Sequence, residues 1–208
     1  LPMAPINPPI TRRSVLTGIA AAPLLTAASC REQSSTLGVD VAGILPDLSF
    51  TLTRVRDGRQ VSDADYTGQV VALFFGYTHC PGICPMTLQN LSRVADQLGP
   101  RAQDLSILFV TVDPRRDTPT ALANYVGGFT DRADGLRGGD NQLAAITRRY
   151  RVTYDVDPEA PGGYRVTHGQ SVYLFAPDGT AQLLLPRFSS SDADIDGAVK
   201  EINRLIRA

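Results

Sequence analysis

The chain has 208 residues, 43 % of them hydrophobic and 20 % charged, a balance that suits one globular domain with a sizeable core and excludes a disordered chain. Its 20 basic and 21 acidic residues nearly cancel, and Lys200 is the only lysine among the basic ones. With no basic block and no interleaving of basic and aromatic residues, nothing supports nucleic-acid binding.

The first 29 residues differ in kind from the rest. Arg12 and Arg13 precede an uncharged Ala- and Leu-rich run that ends in Ala27-Ala28-Ser29-Cys30, and no acidic residue occurs before Glu32. This resembles a twin-arginine export signal over residues 1–29. A surface arginine pair before a short core helix fits the small-residue end and the missing acids less well. The apolar run is also shorter than the roughly 18 residues of a spanning helix. Cys30, directly after small residues, resembles a lipoprotein attachment site, although Ala27 stands where a leucine is usual. An ordinary signal-peptidase site with Cys30 left in a tail remains equally open. Both versions place the domain outside the cytoplasm, in the periplasm or on the outer face of the cytoplasmic membrane, with membrane attachment through the N-terminus or a lipidated Cys30. Removing Arg12 and Arg13 leaves 18 basic against 21 acidic residues, so the exported protein would be mildly acidic.

Residues 30–45 are small and polar, without sustained periodicity, and are expected to be a linker. From Pro46 onward, Leu48, Phe50 and Leu52 alternate with polar residues as in a half-buried strand, and Asp57-Gly58 predicts a hairpin turn into a second strand near residues 59–61. Val70 to Phe75 is a buried strand. Pro85 predicts the start of the next helix, with Cys84 beside its N-terminus and Cys80 in the loop ahead. Leu88, Leu91, Ala95 and Leu98 would pack that helix on the sheet and leave both sulfurs exposed at a positive helix pole, which favours thiolate over thiol. Gly99-Pro100 ends the helix.

Leu105 to Val112 is an almost unbroken apolar run, as expected of a central strand covered on both faces. Asp113-Pro114 stops it, and Thr118 with Pro119 predicts the cap and first turn of a helix ending near Gly127-Gly128. Phe129 to Gly139 is loop or short strand, and its acids, with Asp140, lack the spacing of a calcium loop. Asp140 is expected to cap a helix that buries Leu143, Ile146 and Tyr150. A strand near Val152 to Val156, a loop, two strands at residues 171–176 and 181–185 about a Pro177-Asp178-Gly179 turn, and a helix marked by Ile195, Val199, Ile202 and Ile206 complete the chain. This order predicts a thioredoxin-like α/β domain, a central mixed sheet flanked by helices, with an N-terminal β-hairpin extension and an inserted helix.

Cys80 and Cys84 are separated by three residues, not the two of thioredoxin-type redox motifs. In an oxidising compartment such a pair must be kept reduced, hold metal or form a disulfide. A closed zinc site wants four ligands and a second cysteine pair, which this chain lacks. Two thiolates plus one imidazole suit three-coordinate Cu(I). Only His79 and His168 can supply the ring. His79, next to Cys80, is expected to point to the rim. His168 lies just before the strand at residue 171, across from the cysteine turn in a thioredoxin fold.

GYTHCPGICP, then DPRRDTP, then YRVTHGQSVYLFAPDG together resemble the SCO/SenC family of thioredoxin-like copper proteins, over about residues 46 to 208. The resemblance implies Cys80, Cys84 and His168 as metal ligands; one Cu(I) per chain, with Cu(II) also admitted, and a monomer are expected. It further implies a role in metallating the dinuclear CuA centre of cytochrome c oxidase, or in keeping that centre's cysteines as thiols. Its partners would be the copper-bearing oxidase subunit and an upstream copper donor. Two departures stand out: Gly82 and Thr167 occupy positions where the family usually carries aspartates, which should weaken Cu(II) more than Cu(I).

The competing interpretation is an extracytoplasmic thiol-disulfide reductase in which Cys80 attacks a substrate disulfide and Cys84 resolves the mixed disulfide without obligatory metal. A peroxidase fits less well, since Tyr77 rather than a threonine stands three residues before Cys80. In DPRRDTP, Asp113 and Asp117 are expected to cap turns while Arg115 and Arg116 pair with nearby acids, the alternative being an arginine near the site that raises thiolate character or contacts a partner.

Overall fold

The computed structural model describes residues 37–158, 160–161 and 164–207. The arginine pair, the expected export signal and Cys30 lie outside the described residues. A compact unit runs from Ser34 to the C-terminus, and ten strands, β1 to β10, and four helices, α1 to α4, are described in it. β1 (Val39–Asp40), β2 (Thr51–Arg54) and β3 (Gln60–Ser62) precede β4 (Val70–Gly76), α1 (Ile83–Leu98) and β5 (Leu105–Thr111). α2 (Pro119–Gly127), β6 (Ala133–Arg137), α3 (Asp140–Arg149), β7 (Tyr154–Asp157) and β8 (Arg165–His168) follow. β9 (Val172–Phe175), β10 (Ala181–Leu185) and α4 (Ile195–Ile206) close the chain.

Eight strands form one mixed sheet in the order β1-β10-β9-β4-β5-β6-β2-β3. β4, β5 and β6 run parallel, with Val70 opposite Leu105 and Gly76 opposite Thr111, and β9 and β2 flank them antiparallel. Every residue of β4 is buried. Because successive side chains point to opposite faces, uniform burial means that both faces are covered, as the apolar runs foretell. Phe74, Phe75, Phe109 and Phe175 fill the centre. This is the thioredoxin-like arrangement, with β2–β3 as the added hairpin and α2 as the inserted helix.

Several boundaries differ from expectation for local reasons. Residues 39–40 of the expected linker form an edge strand: Val39 and Asp40 pair with Leu184 and Leu183, and Val41 is buried. Leu48 and Phe50 are buried as predicted but precede β2, because the backbone N–H groups of Leu48, Ser49 and Phe50 go to Gly179 O, Tyr150 Oη and Asp63 Oδ1 rather than to a ladder. Gly139, not Asp140, is the N-cap of α3, and the Gln142 side chain accepts from its N–H. Thr118 caps α2 as predicted, accepting from Ala121 N at 3.2 Å with Pro119 in the first turn.

A second, two-stranded sheet holds β7 and β8 alone. It projects from the segment after α3, whose exit is turned by Arg151 in the left-handed region at φ 54°. Among the described residues no helix is long and apolar enough to cross a membrane.

Candidate metal centre

β4 delivers the chain to the site, and its last residue shapes it. A Cβ on Gly76 would stand 2.7 Å from Cys84 Sγ and 2.8 Å from the Phe109 ring, so only glycine lets the first turn of α1 approach this closely. The helix starts at Ile83, two residues earlier than Pro85 foretold, with Gly82 as N-cap. Cys84 therefore lies within the first turn, and its N–H donates to Cys80 Sγ at 3.4 Å. The expectation of exposed sulfurs is overturned: Cys80 is 8 % and Cys84 0 % exposed. The tight glycine contact draws Cys84 under the loop, and the chain bearing His168 covers the pair.

The loop before Cys80 is pinned from below. Asp117, fully buried, accepts from Thr78 N (3.1 and 3.2 Å), from Thr78 Oγ1 at 2.6 Å and from Thr111 Oγ1 at 2.5 Å. Its expected role as a turn cap is thus part of a larger one, holding the cysteine loop to the end of β5. The motif made the residue visible, but its long-range partner Thr78 carried no sequence signal. His79 is exposed at the rim, its Nδ1 3.0 Å from Thr78 Oγ1, in keeping with its expected place.

His168 is the last residue of β8 and not, as expected, in a loop before the next strand. Its Nε2 stands 3.3 Å from Cys84 Sγ, and its ring meets Tyr77 and Phe74 edge-on at centroid distances of 5.6 and 6.0 Å. Nδ1 lies 2.7 Å from the Gly169 carbonyl. A carbonyl can only accept, so Nδ1 bears the proton and the Nε2 lone pair is left facing the sulfurs.

The donor atoms of Cys80, Cys84 and His168 lie within 4.8 Å of one another, and they are the one such group of three or more among the described residues. Neither cysteine is in a disulfide. The hydrogen bond from Cys84, supported by the amides of Cys84 and Gly82, holds the Cys80 thiol down to about 3 against the opposing effect of burial. That same bond, with burial, pushes Cys84 upward. One proton serves two sulfurs and rests on the inner one. Two soft sulfurs and one imidazole, with no fourth donor in the group, match a thiophilic ion of low coordination number better than tetrahedral zinc.

Comparison with known proteins gives a consistent picture. The SCO1/SenC family matches residues 46–206. The mitochondrial SCO2 homolog of Bos taurus is 46 % identical over 125 residues, covering 59 % of this chain and 47 % of the relative. The mitochondrial SCO1 homolog of Homo sapiens is 39 % identical over 133 residues, covering 62 % and 44 %. The chain thus matches less than half the length of these curated relatives. Among solved structures, copper-bound ScoI of Bradyrhizobium japonicum superposes with a TM-score of 0.67 at 31 % identity, over 76 % of this chain and 98 % of that one. Copper-bound yeast Sco1 gives 0.66 at 29 %, over 76 % and 90 %.

Proposed function

This chain belongs to the SCO1/SenC family, and from that premise we propose that it is a copper carrier that delivers Cu(I) to the CuA site of cytochrome c oxidase or keeps the thiols of that site reduced. One observation carries the proposal: two sulfurs and an imidazole nitrogen from segments 84 residues apart converge within ligand reach, with the imidazole lone pair already turned toward the sulfurs. Copper is cargo here. Cys80 offers a thiolate before the metal arrives, Cys84 gives up its proton on binding, and His168 supplies the third donor. Release would proceed by exchange of one donor at a time, beginning with His168 and Cys80, whose residues retain some exposure, and ending with Cys84 at the bottom. The exported, membrane-attached location read from Arg12, Arg13 and Cys30 is part of the proposal, and mass spectrometry of the mature N-terminus tests it.

Titration of the reduced protein with Cu(I) is expected to reach one equivalent per chain, and His168→Ala to lose affinity clearly. Stoichiometric transfer to an oxidase subunit with an empty copper site supports delivery, whereas unchanged affinity in His168→Ala overturns the three-donor site.

The ionised Cys80 favours one second interpretation, thiol-disulfide reduction. Cys80 Sγ would attack a substrate disulfide and release one substrate thiolate. Cys84 would then lose its proton and attack Cys80 Sγ, releasing the second substrate thiol and leaving the pair oxidised as the substrate is reduced. Disulfide-reducing turnover that is indifferent to His168→Ala would favour this enzyme.

A further inference from the structure

The imidazole reaches the site on an arm that the main sheet does not hold. β7 and β8 pair only with each other, and His168 ends β8. Val166 is buried in the core and Val152, Tyr154 and Val156 pack against it, and four further side chains fasten this arm to the body. Tyr77, three residues before Cys80, donates its hydroxyl to Val166 O at 3.1 Å, two residues before His168. Tyr164, just ahead of β8, donates to Asp113 Oδ1 at 3.0 Å. The Arg116 guanidinium lies 4.1 Å from the centroid of the Tyr164 ring and 5.6 Å from that of Tyr77, and its Nε donates to Asp113 Oδ2. Asp113 is 1 % exposed, so the charge anchoring Arg116 is itself fixed in the fold.

We propose that Arg116 is a positioning residue that clasps the histidine arm: by lying over Tyr164 of the arm and Tyr77 of the cysteine loop while bound to Asp113, it sets how often His168 leaves the sulfurs and hence how fast copper departs. The inference rests on the copper-carrier proposal and adds to it the element that controls release. Its physical basis is shape as well as charge. A planar guanidinium can cover two rings and hold a carboxylate at once, whereas a lysine ammonium at the same place keeps the charge but loses the stacking. Opening would pivot about the two roots of the arm, the left-handed turn at Arg151 and the segment at Gly169, whose N–H is held by Thr153 O at 3.0 Å. Tyr77 joins both sides, so loosening the clasp acts on the imidazole while leaving the buried first turn of α1 in place.

The test compares the purified full chain with Arg116→Lys and Tyr164→Phe. The chain has two histidines, so a sample labelled with ¹⁵N-histidine reports His168 with His79 as internal control, without any metal. In both variants we expect exchange broadening of the His168 ring and none at His79, with an unchanged urea midpoint. Cu(I) release to a bicinchoninate competitor should accelerate by about three- to tenfold in Arg116→Lys. An unaltered His168 ring in both variants overturns the clasp, as does equal broadening of both histidines or a fall in the urea midpoint, either of which marks general loosening. If wild-type protein takes up no Cu(I), the copper-carrier proposal fails, and the metal-free ring signals still decide whether the clasp exists.

Discussion

The sulfurs and the imidazole are supported in opposite ways. Cys80 and Cys84 hang from β4, a strand buried along its whole length and paired on both sides, with Asp117 and Gly76 fixing the turn beyond it. His168 hangs from a two-stranded ribbon with alternating exposure, packed on the core through Val166 and fastened by a few tyrosine and arginine contacts. Such a division suits a carrier: one side keeps its geometry, and the other can yield when a recipient competes for the metal. A two-stranded ribbon has little stability of its own, so its position depends on what it is docked against.

The largest test of this division strikes the rigid side. Phe109 is fully buried, stacks edge-on against Phe74 at 5.7 Å and forms the wall behind Cys84. Phe109→Ala should destabilise the whole domain by about 3–5 kcal/mol in urea unfolding. A smaller loss would show that the sheet is less tightly packed than its burial indicates. Next, Gly76→Ala should cost about 1–3 kcal/mol, since its methyl must displace Cys84 Sγ or the Phe109 ring. The same variant should lower Cu(I) affinity, because the displaced atom is one of the three proposed donors. A stability loss with unaltered copper binding would show that the site tolerates movement of its rigid half.

The smallest effect is a flat line. With Cys80 held at about 3 by its bond from Cys84, it is already a thiolate at neutral pH. Its alkylation by iodoacetamide, followed by peptide mass spectrometry, should vary little between about pH 5 and pH 8, where an ordinary cysteine accelerates about tenfold per unit. Cys84→Ala removes the largest lowering cause and should restore a rising profile. A steep profile in the wild type would contradict the shared proton.

The same division explains what could be read in the sequence. β4, β5, α1 and α4 announce themselves through uninterrupted apolar runs or helical periodicity, and their core residues, among them Leu88, Leu91 and Ile202, are buried as expected. Proline and threonine signals placed α2 to the residue. β8 stayed hidden because RVTH is a four-residue strand with one buried side chain, and its pairing with β7 is a long-range fact without a local signature. The three candidate donors were nameable from their chemistry and from family resemblance. Their burial was not, because it depends on Gly76 meeting Cys84 and on an arm returning from 84 residues away. The long-range partners of Asp117, Tyr77 and Tyr164 escaped for a related reason: each acts on a segment remote in sequence.

The acceptor that orients the His168 ring is a main-chain oxygen. Its hold on the tautomer therefore passes with the course of the backbone and not with any side chain at residue 169. A methyl group there would meet only Val152, at an ordinary 3.9 Å. Substitutions at this neighbour of the imidazole could thus accumulate without turning the nitrogen away, leaving residue 169 a place where the sequence can drift beside a proposed donor that cannot.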